Sequence, residues 1–278
     1  MAVSVITDSA AALPAAVAER AGIVVVPLRL AIGGRSYRDG ELDREEVLAH
    51  AERGVSTSGP SPGDVLAVLE AYAGRDGTVV LTVAAAMSST YDAARTAAAL
   101  FPGEVRVIDT ATAAGAQGLA ALAAAAPARA GGCLDEVEAA ARAVIARVRL
   151  VACLGNLEWL ARSGRVPAAV AWTGRGVGLR FLFEFRGGQA HRLRPAFGDA
   201  AAVHRLLGLW RASRPASGRL HVAAMHGLAP QRAQELLDAV RAEVEPATAL
   251  VEPFSPVMLV HTGPDLVGLA WWWEVPGA

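Results

Sequence analysis

The stretch VSVITDSAAALPAAVAERAGIVVVPL, residues 3–28, decides the fold. Val3 to Thr7 is a short apolar run of strand character. Asp8-Ser9 supplies helix-capping chemistry, a helical pattern near Leu13–Arg20 stops at Gly22, and a second strand is expected over Ile23–Leu30. Strand, helix, strand in so few residues is the unit from which parallel sheets are made, because parallel neighbours need a crossover between them.

The rhythm continues outward. Gly33-Gly34 and Tyr37-Arg38-Asp39-Gly40 read as turns, Asp43 with Glu46 resembles a capping box, and Gly54 closes that helix. In the hydroxyl-rich stretch at residues 56–64, Ser61-Pro62 is an N-cap followed by a proline at the first helical position, and Val65, Leu66, Val68, Leu69 and Tyr72 carry the helical stripe. Strand Thr78–Val83 runs through Met87-Ser88-Ser89-Thr90-Tyr91 into a helix. Strand Val105–Ile108 runs through Asp109-Thr110 into an alanine-rich helix. The first half, residues 1–150, is therefore expected to be an α/β domain on a parallel sheet. Residues 151–278 are less regular. A connecting helix at Glu136–Val148 leads to a strand at Leu150–Leu154 and a short helix at Leu157–Arg162. Then come a hairpin about Gly187-Gly188, helices near Ala200–Arg211 and Pro230–Val244 around strand Leu220–Ala224, and a last hairpin of Val257–Val260 with Leu266–Trp273. That order predicts an α+β C-terminal domain with a mixed or antiparallel sheet, the boundary being soft.

The 278 residues are 53% hydrophobic and 19% charged, so a large core is available, and a formal net charge of −1 offers no field for nucleic acid. No apolar run approaches the roughly 20 residues that span a bilayer, and no signal peptide is visible, which predicts a cytoplasmic protein. Cys133 and Cys153 read as structural thiols. No HExxH pattern, dinucleotide fingerprint, phosphate loop or GxSxG elbow occurs: Gly174-Arg-Gly-Val-Gly178 lacks the strand–turn–helix context, and Ser88 sits in Ala86-Met87-Ser88-Ser89. No metal or cofactor is expected. Trp271–Trp273 reads as core and edge packing.

Three turns remain: Asp8-Ser9, Thr57-Ser58 and Ser88-Ser89-Thr90. Each lies between a strand-like and a helix-like run, where open parallel sheets bind ligands and helix N-termini attract anions. The same residue types also serve as plain N-caps, and a single turn does not choose between the two roles. His261-Thr262-Gly263-Pro264 is a fourth candidate. Its histidine is either a satisfied polar group or a donor to an anionic head group.

Taken together, the motifs resemble the DegV family of fatty-acid-binding, EDD-fold proteins. The resemblance runs in order through Ile6-Thr7-Asp8-Ser9 with Leu13-Pro14; Val26-Pro27-Leu28; Tyr37-Arg38-Asp39-Gly40; Thr57-Ser58-Gly59-Pro60-Ser61-Pro62; Ser88-Ser89-Thr90-Tyr91; Val107-Ile108-Asp109-Thr110; Leu157-Glu158-Trp159-Leu160 with Gly164-Arg165-Val166; and His261-Thr262-Gly263-Pro264. It implies a long-chain fatty acid such as palmitate in a buried apolar tunnel, its carboxylate held by Thr57 and Ser88 with His261 close by and Thr262, Ser58 and Ser89 as neighbours. It implies a carrier rather than an enzyme, which presents the acid to a dihydroxyacetone-kinase-like fatty acid kinase for acyl-phosphate formation, with Arg165 facing partner or phosphate. The chain departs from the family at Ser89, where glycine is usual, at Ala84-Ala85-Ala86, where serines are common, and at Pro195–Asp199, where a basic segment is common. The competing readings are a serine-dependent esterase or thioesterase using Ser88 and His261, and a lipid-sensing regulatory protein.

Overall fold

The computed structural model describes residues 2–51, 54–165 and 178–275. Strand β1 (Ser4–Asp8), helix α1 (Ala15–Ala21) and strand β2 (Ile23–Val26) form the expected first unit. After them come β3 (Arg29–Ile32), β4 (Arg35–Arg38), α2 (Arg44–Ala51), β5 (Val55–Ser58), α3 (Pro62–Tyr72), β6 (Thr78–Thr82), α4 (Thr90–Leu100) and β7 (Val105–Asp109). Strands β2, β1, β6 and β7 pair in that order, all parallel. Every residue of β1 and β6 is buried, because helices cover both faces. On one face Val5, Val79 and Leu81 meet the alanines of α5 (Ala114–Arg129) and the apolar side of α6 (Leu134–Ile145). On the other, Ile6 and Val80 meet Val65 and Leu69 of α3 and Ala94 and Ala97 of α4.

The expected strand Ile23–Leu30 is two strands in two sheets. Pro27 has no N–H to donate to a ladder, so β2 ends before it. Leu28 N–H then donates to Ser9 Oγ at 3.0 Å, which turns the chain into β3. There β4, β3 and β5 make a small antiparallel sheet in which Leu30 faces Thr57. Thr57 and Ser58 are thus strand residues, where the sequence predicts a turn.

Helices α5 and α6 carry the chain to a six-stranded mixed sheet. Its elements are β8 (Arg149–Leu154), α7 (Glu158–Ser163), β9 (Leu179–Arg186), β10 (Gln189–Phe197), α8 (Gly198–Ala212), β11 (Arg219–His226), α9 (Pro230–Arg241), β12 (Thr248–Pro253), α10 (Pro256–Thr262) and β13 (Val267–Glu274). The strand order is β10-β9-β8-β13-β11-β12. Helices α8 and α9 cover one face, around Trp210, Leu206, Leu236 and Trp271. The other face is lined by Leu150, Leu154, Phe183, Phe185, Ala223 and Met225, and packs on α5 and on Ala12 and Ala84 from the loops of the parallel sheet. The β9–β10 hairpin reaches across this layer, where Gly188 N–H donates to Ala111 O at 2.8 Å.

In this half one strand has no counterpart in the sequence reading and one expectation fails. Strand β12 carries no strong alternation and is held by its parallel register with β11. Residues 257–260 are helical, not the first arm of a hairpin. Ser255 caps α10 by accepting from Met258 N–H, and Pro256 occupies its first turn, the same Ser-Pro start that opens α3. The N-terminus of α10 is fastened to the first half through Asp39, whose carboxylate accepts from Ser9 Oγ at 2.6 Å and from Val257 N–H at 3.0 Å. Replacing Asp39 with alanine leaves both donors unpaired, and should lower stability by about 2 kcal/mol in a urea melt. A loss within a few tenths would mean that this tie does not hold α10.

Candidate functional site

Of the three hydroxyl-rich turns, two converge. Thr57 and Ser58 at the end of β5, Ser88 and Ser89 before α4, and Arg165 and His261 line one cavity of about 220 Å³, walled by Leu28, Val83, Met87, Val257 and Met258. Gly59 allows the approach. A Cβ there would stand 2.9 Å from Thr90 Oγ1 and 3.1 Å from Thr90 N, so no larger residue fits between the β5 segment and the start of α4. The Asp8-Ser9 turn is spent on structure, as the capping reading has it. Asp8 accepts from Ala10 and Val83 N–H and from Gln117, while Ser9 bridges Leu28 and Asp39.

The bonds among these side chains give the hydroxyls a direction. Thr57 Oγ1 lies 2.7 Å from His261 Nε2, across 204 residues of sequence. Burial, and after it the charge of Arg165, lowers the His261 imidazole from its ordinary 6.5 to about 4, so the ring is neutral at physiological pH. Its Nδ1 is buried with no hydrogen-bond partner among the described residues. An unpartnered ring nitrogen is tolerated better than an unpartnered N–H, which assigns the proton to Nε2 and makes His261 the donor. The guanidinium of Arg165 also donates to Thr57 Oγ1, at 3.5 Å. With its oxygen thus supplied, the Thr57 hydroxyl keeps its own proton for the cavity. Ser88 Oγ takes Thr90 N–H at 3.3 Å and lies 2.7 Å from Thr90 Oγ1, a pair in which either hydroxyl can donate. A cavity lined by two hydroxyls and by a guanidinium that has no carboxylate partner among the described residues suits a small anion such as a carboxylate.

The profile of the family described as "Uncharacterised protein, DegV family" matches residues 2–274. The chain belongs to the DegV family. A DegV domain-containing protein of Streptomyces coelicolor is 37% identical over 273 residues, covering 96% of this chain and 97% of the relative. A fatty acid-binding protein of Thermotoga maritima is 28% identical, with 96% of each chain covered. A DegV family protein from Thermus thermophilus, whose structure is described for its fatty acid binding, superposes with a TM-score of 0.90 at 27% identity, over 98% of this chain and 100% of that one. The mixed α/β architecture with its parallel sheet is the DegV fold.

Other expected residues fall differently. Thr262 does not line the cavity, since its hydroxyl donates to Met258 O at 3.0 Å within α10. Ser58 and Ser89 are exposed and stand where the cavity meets solvent. Arg165, expected to face a partner, lines the cavity beside Thr57. Val166 and residues 174–177 of the glycine motif lie outside the described residues. Sequence reading missed Met87 and Met258, which wall the cavity and also pack on the apolar layer of the mixed sheet. The signal for Met258 was Ser255-Pro256, which places it one helical turn before His261. A larger groove of about 1030 Å³ runs along α5, α6 and Trp272, but holds none of the hydroxyl turns.

His261 sets a pH test. The unfolded chain takes up a proton near pH 6.5 that the folded protein refuses until about 4, so the stabilisation from the neutral ring is lost as pH falls through that window. Urea midpoints at pH 7.5 and 4.5 should therefore fall further for the wild type than for His261→Gln. Equal falls would mean an imidazole that titrates normally.

Proposed function

We propose that this protein is a fatty-acid carrier, which holds a long-chain acid such as palmitate with its carboxylate between Thr57, Ser88 and Arg165. The observation that carries this is the convergence of Thr57, Ser88, Arg165 and His261 on one cavity, with the Thr57 oxygen supplied by His261 and Arg165. Charge-assisted bonds of this kind are roughly twice as strong as neutral ones. His261 is a positioning residue that orients Thr57.

The tail follows from size. Ligand pockets run from about 300 to 1,000 Å³, and the 220 Å³ here is below that range. It takes the head group and the first methylenes. Beyond Met87 and Met258 lies the apolar layer of Phe183, Phe185, Leu154, Leu119 and the surrounding alanines. Methionine is the side chain that repacks most readily. The two methionines yield, and the chain enters the layer at roughly 0.8 kcal/mol per buried CH₂. The relatives of Thermotoga maritima and Thermus thermophilus described as binding fatty acids support the same ligand class.

Carriage, not turnover, fits the bonding. His261 contacts Thr57 rather than Ser88, and among the described residues no acid orients its Nδ1 and no base of the kind that nucleophilic serines use is bonded to Ser88. The finer role is delivery of the acid to a fatty acid kinase of the dihydroxyacetone-kinase type within the cytoplasm. The exposed head-group end, where Ser58 and Ser89 meet solvent, supports it, since a kinase must reach the carboxylate there.

Native mass spectrometry of the purified protein should find an acyl chain bound or loadable. Thr57→Ala with Ser88→Ala should weaken palmitate at least tenfold, about 1.4 kcal/mol or more, with the melting midpoint little changed. Arg165→Gln should weaken it with a reduced dependence on salt. Unchanged affinity in the double variant places the head group elsewhere, and ester hydrolysis abolished by Ser88→Ala would favour the esterase reading.

A further inference from the structure

The apolar layer contains a buried carboxyl group, that of Glu252. In the register of β11 with β12, Ala223 pairs with Leu250 and Met225 with Glu252. Paired residues of neighbouring strands share a face. Ala223, Met225 and Leu250 belong to the layer beneath α5, while Val222, Ala224 and Val251 belong to the opposite face under α8 and α9. Glu252 therefore points into the layer that is to receive the acyl chain. Its exposure is 0%, and neither carboxyl oxygen has a hydrogen-bond partner among the described residues.

The surroundings make room for this group without satisfying it. A methyl added to Gly115 would stand 2.9 Å from Glu252 Oε2, 2.8 Å from Ala223 Cβ and 3.0 Å from Met225 Sδ, so the glycine is where the carboxyl fits under the first turn of α5. The Gly115 N–H is no partner, because it donates to Met225 Sδ at 3.1 Å. Thr112 Oγ1 and Gln117 Oε1, on either side of Gly115 in the chain, are likewise buried without a partner among the described residues. Burial drives the Glu252 carboxyl well above the usual carboxylate range, so the group is carried as the neutral acid, with one O–H to donate and a carbonyl to accept. Leucine, valine or methionine at this site would remove an unsatisfied polar group and add apolar packing. A buried polar group left without a partner in a native fold calls for an explanation.

We propose that Glu252 is a second polar anchor in the acyl layer, which hydrogen bonds an oxygen substituent on the ligand's chain and so selects hydroxylated or oxo fatty acids over plain ones. Thr57, Ser88 and Arg165 hold the carboxylate at one end. Glu252 reads the chain further along, and the position of the preferred substituent is set by the distance between the two anchors. A plain chain leaves the acid unsatisfied, whereas a hydroxyl both donates to it and accepts from it. The inference rests on the fatty-acid reading of the same layer and adds the class of acid.

The test compares stearic acid with stearic acids hydroxylated at successive positions from mid-chain to the methyl end, by competition and native mass spectrometry on the full-length protein. The wild type should prefer one position over the plain acid by about fivefold or more, the worth of one buried hydrogen bond. Glu252→Gln, which keeps a donor and an acceptor, should retain that preference. Glu252→Met, of similar length, should lose it, bind plain stearate at least as well as the wild type, and melt higher. A wild type with no preferred position, or a preference unchanged in Glu252→Met, overturns the proposal while leaving the fatty-acid reading intact. Failure of every acid, plain or hydroxylated, to bind overturns both.

Discussion

The hydrogen bond between Thr57 and His261 holds the two halves of this molecule in a working relation. It joins the small antiparallel sheet to helix α10, which links β12 and β13 of the mixed sheet, across 204 residues. It has this effect because it is half-buried and because the imidazole is neutral. A charged ring beside Arg165 would be repelled, and a ring protonated on Nδ1 would leave that proton without an acceptor among the described residues. The neutral ring with its proton on Nε2 turns the threonine into a donor. The Asp39 tie to Val257 sets the helix on which His261 rides, and Gly59 lets Ser88 come alongside.

Around that bond, the rest of the architecture is a matter of close packing. Alanine dominates α5, and its small side chains let one helix serve both the parallel sheet and the apolar layer of the mixed sheet. The loops that close the layer are strained to do so. Ala12, Ala111 and Ala114 all have positive φ, a conformation that costs an alanine roughly 1–2 kcal/mol. Ala12 and Ala114 are themselves buried in the layer, and Ala111 receives the tip of the β9–β10 hairpin. Such strain persists only where the surrounding structure imposes it, and here it gathers about the space assigned to the acyl chain.

Much of this was legible in the residues. The parallel sheet followed from alternating strand and helix patterns, since strands buried on both faces carry the long apolar runs that periodicity detects best. The split at Pro27 was visible as a missing N–H but was overridden by the apolar run around it. Helix α10 was misread because residues 257–260 are β-branched or apolar, a pattern that short strands and short helices share. Its Ser255-Pro256 start was the better guide. Strand β12 left little trace, because pairing with β11 and burial, not local pattern, hold it. In the candidate site, hydroxyl turns that double as helix caps gave no local means of separating ligand donors from structural ones. The structure adds their placement: Thr57 and Ser88 meet at one cavity, while Ser9 is consumed by Asp39 and Leu28. The place of Arg165 beside Thr57 depends on tertiary packing and left no sequence signal.

A crystal structure of the palmitate-loaded protein shows directly where the carboxylate sits. Both carboxylate oxygens should lie within about 3 Å of donors drawn from Thr57 Oγ1, Ser88 Oγ and Arg165, with the chain passing Met87 and Met258 into the layer beneath the mixed sheet. A carboxylate found instead in the open groove beside Trp272, or a chain lying outside that layer, would contradict this placement.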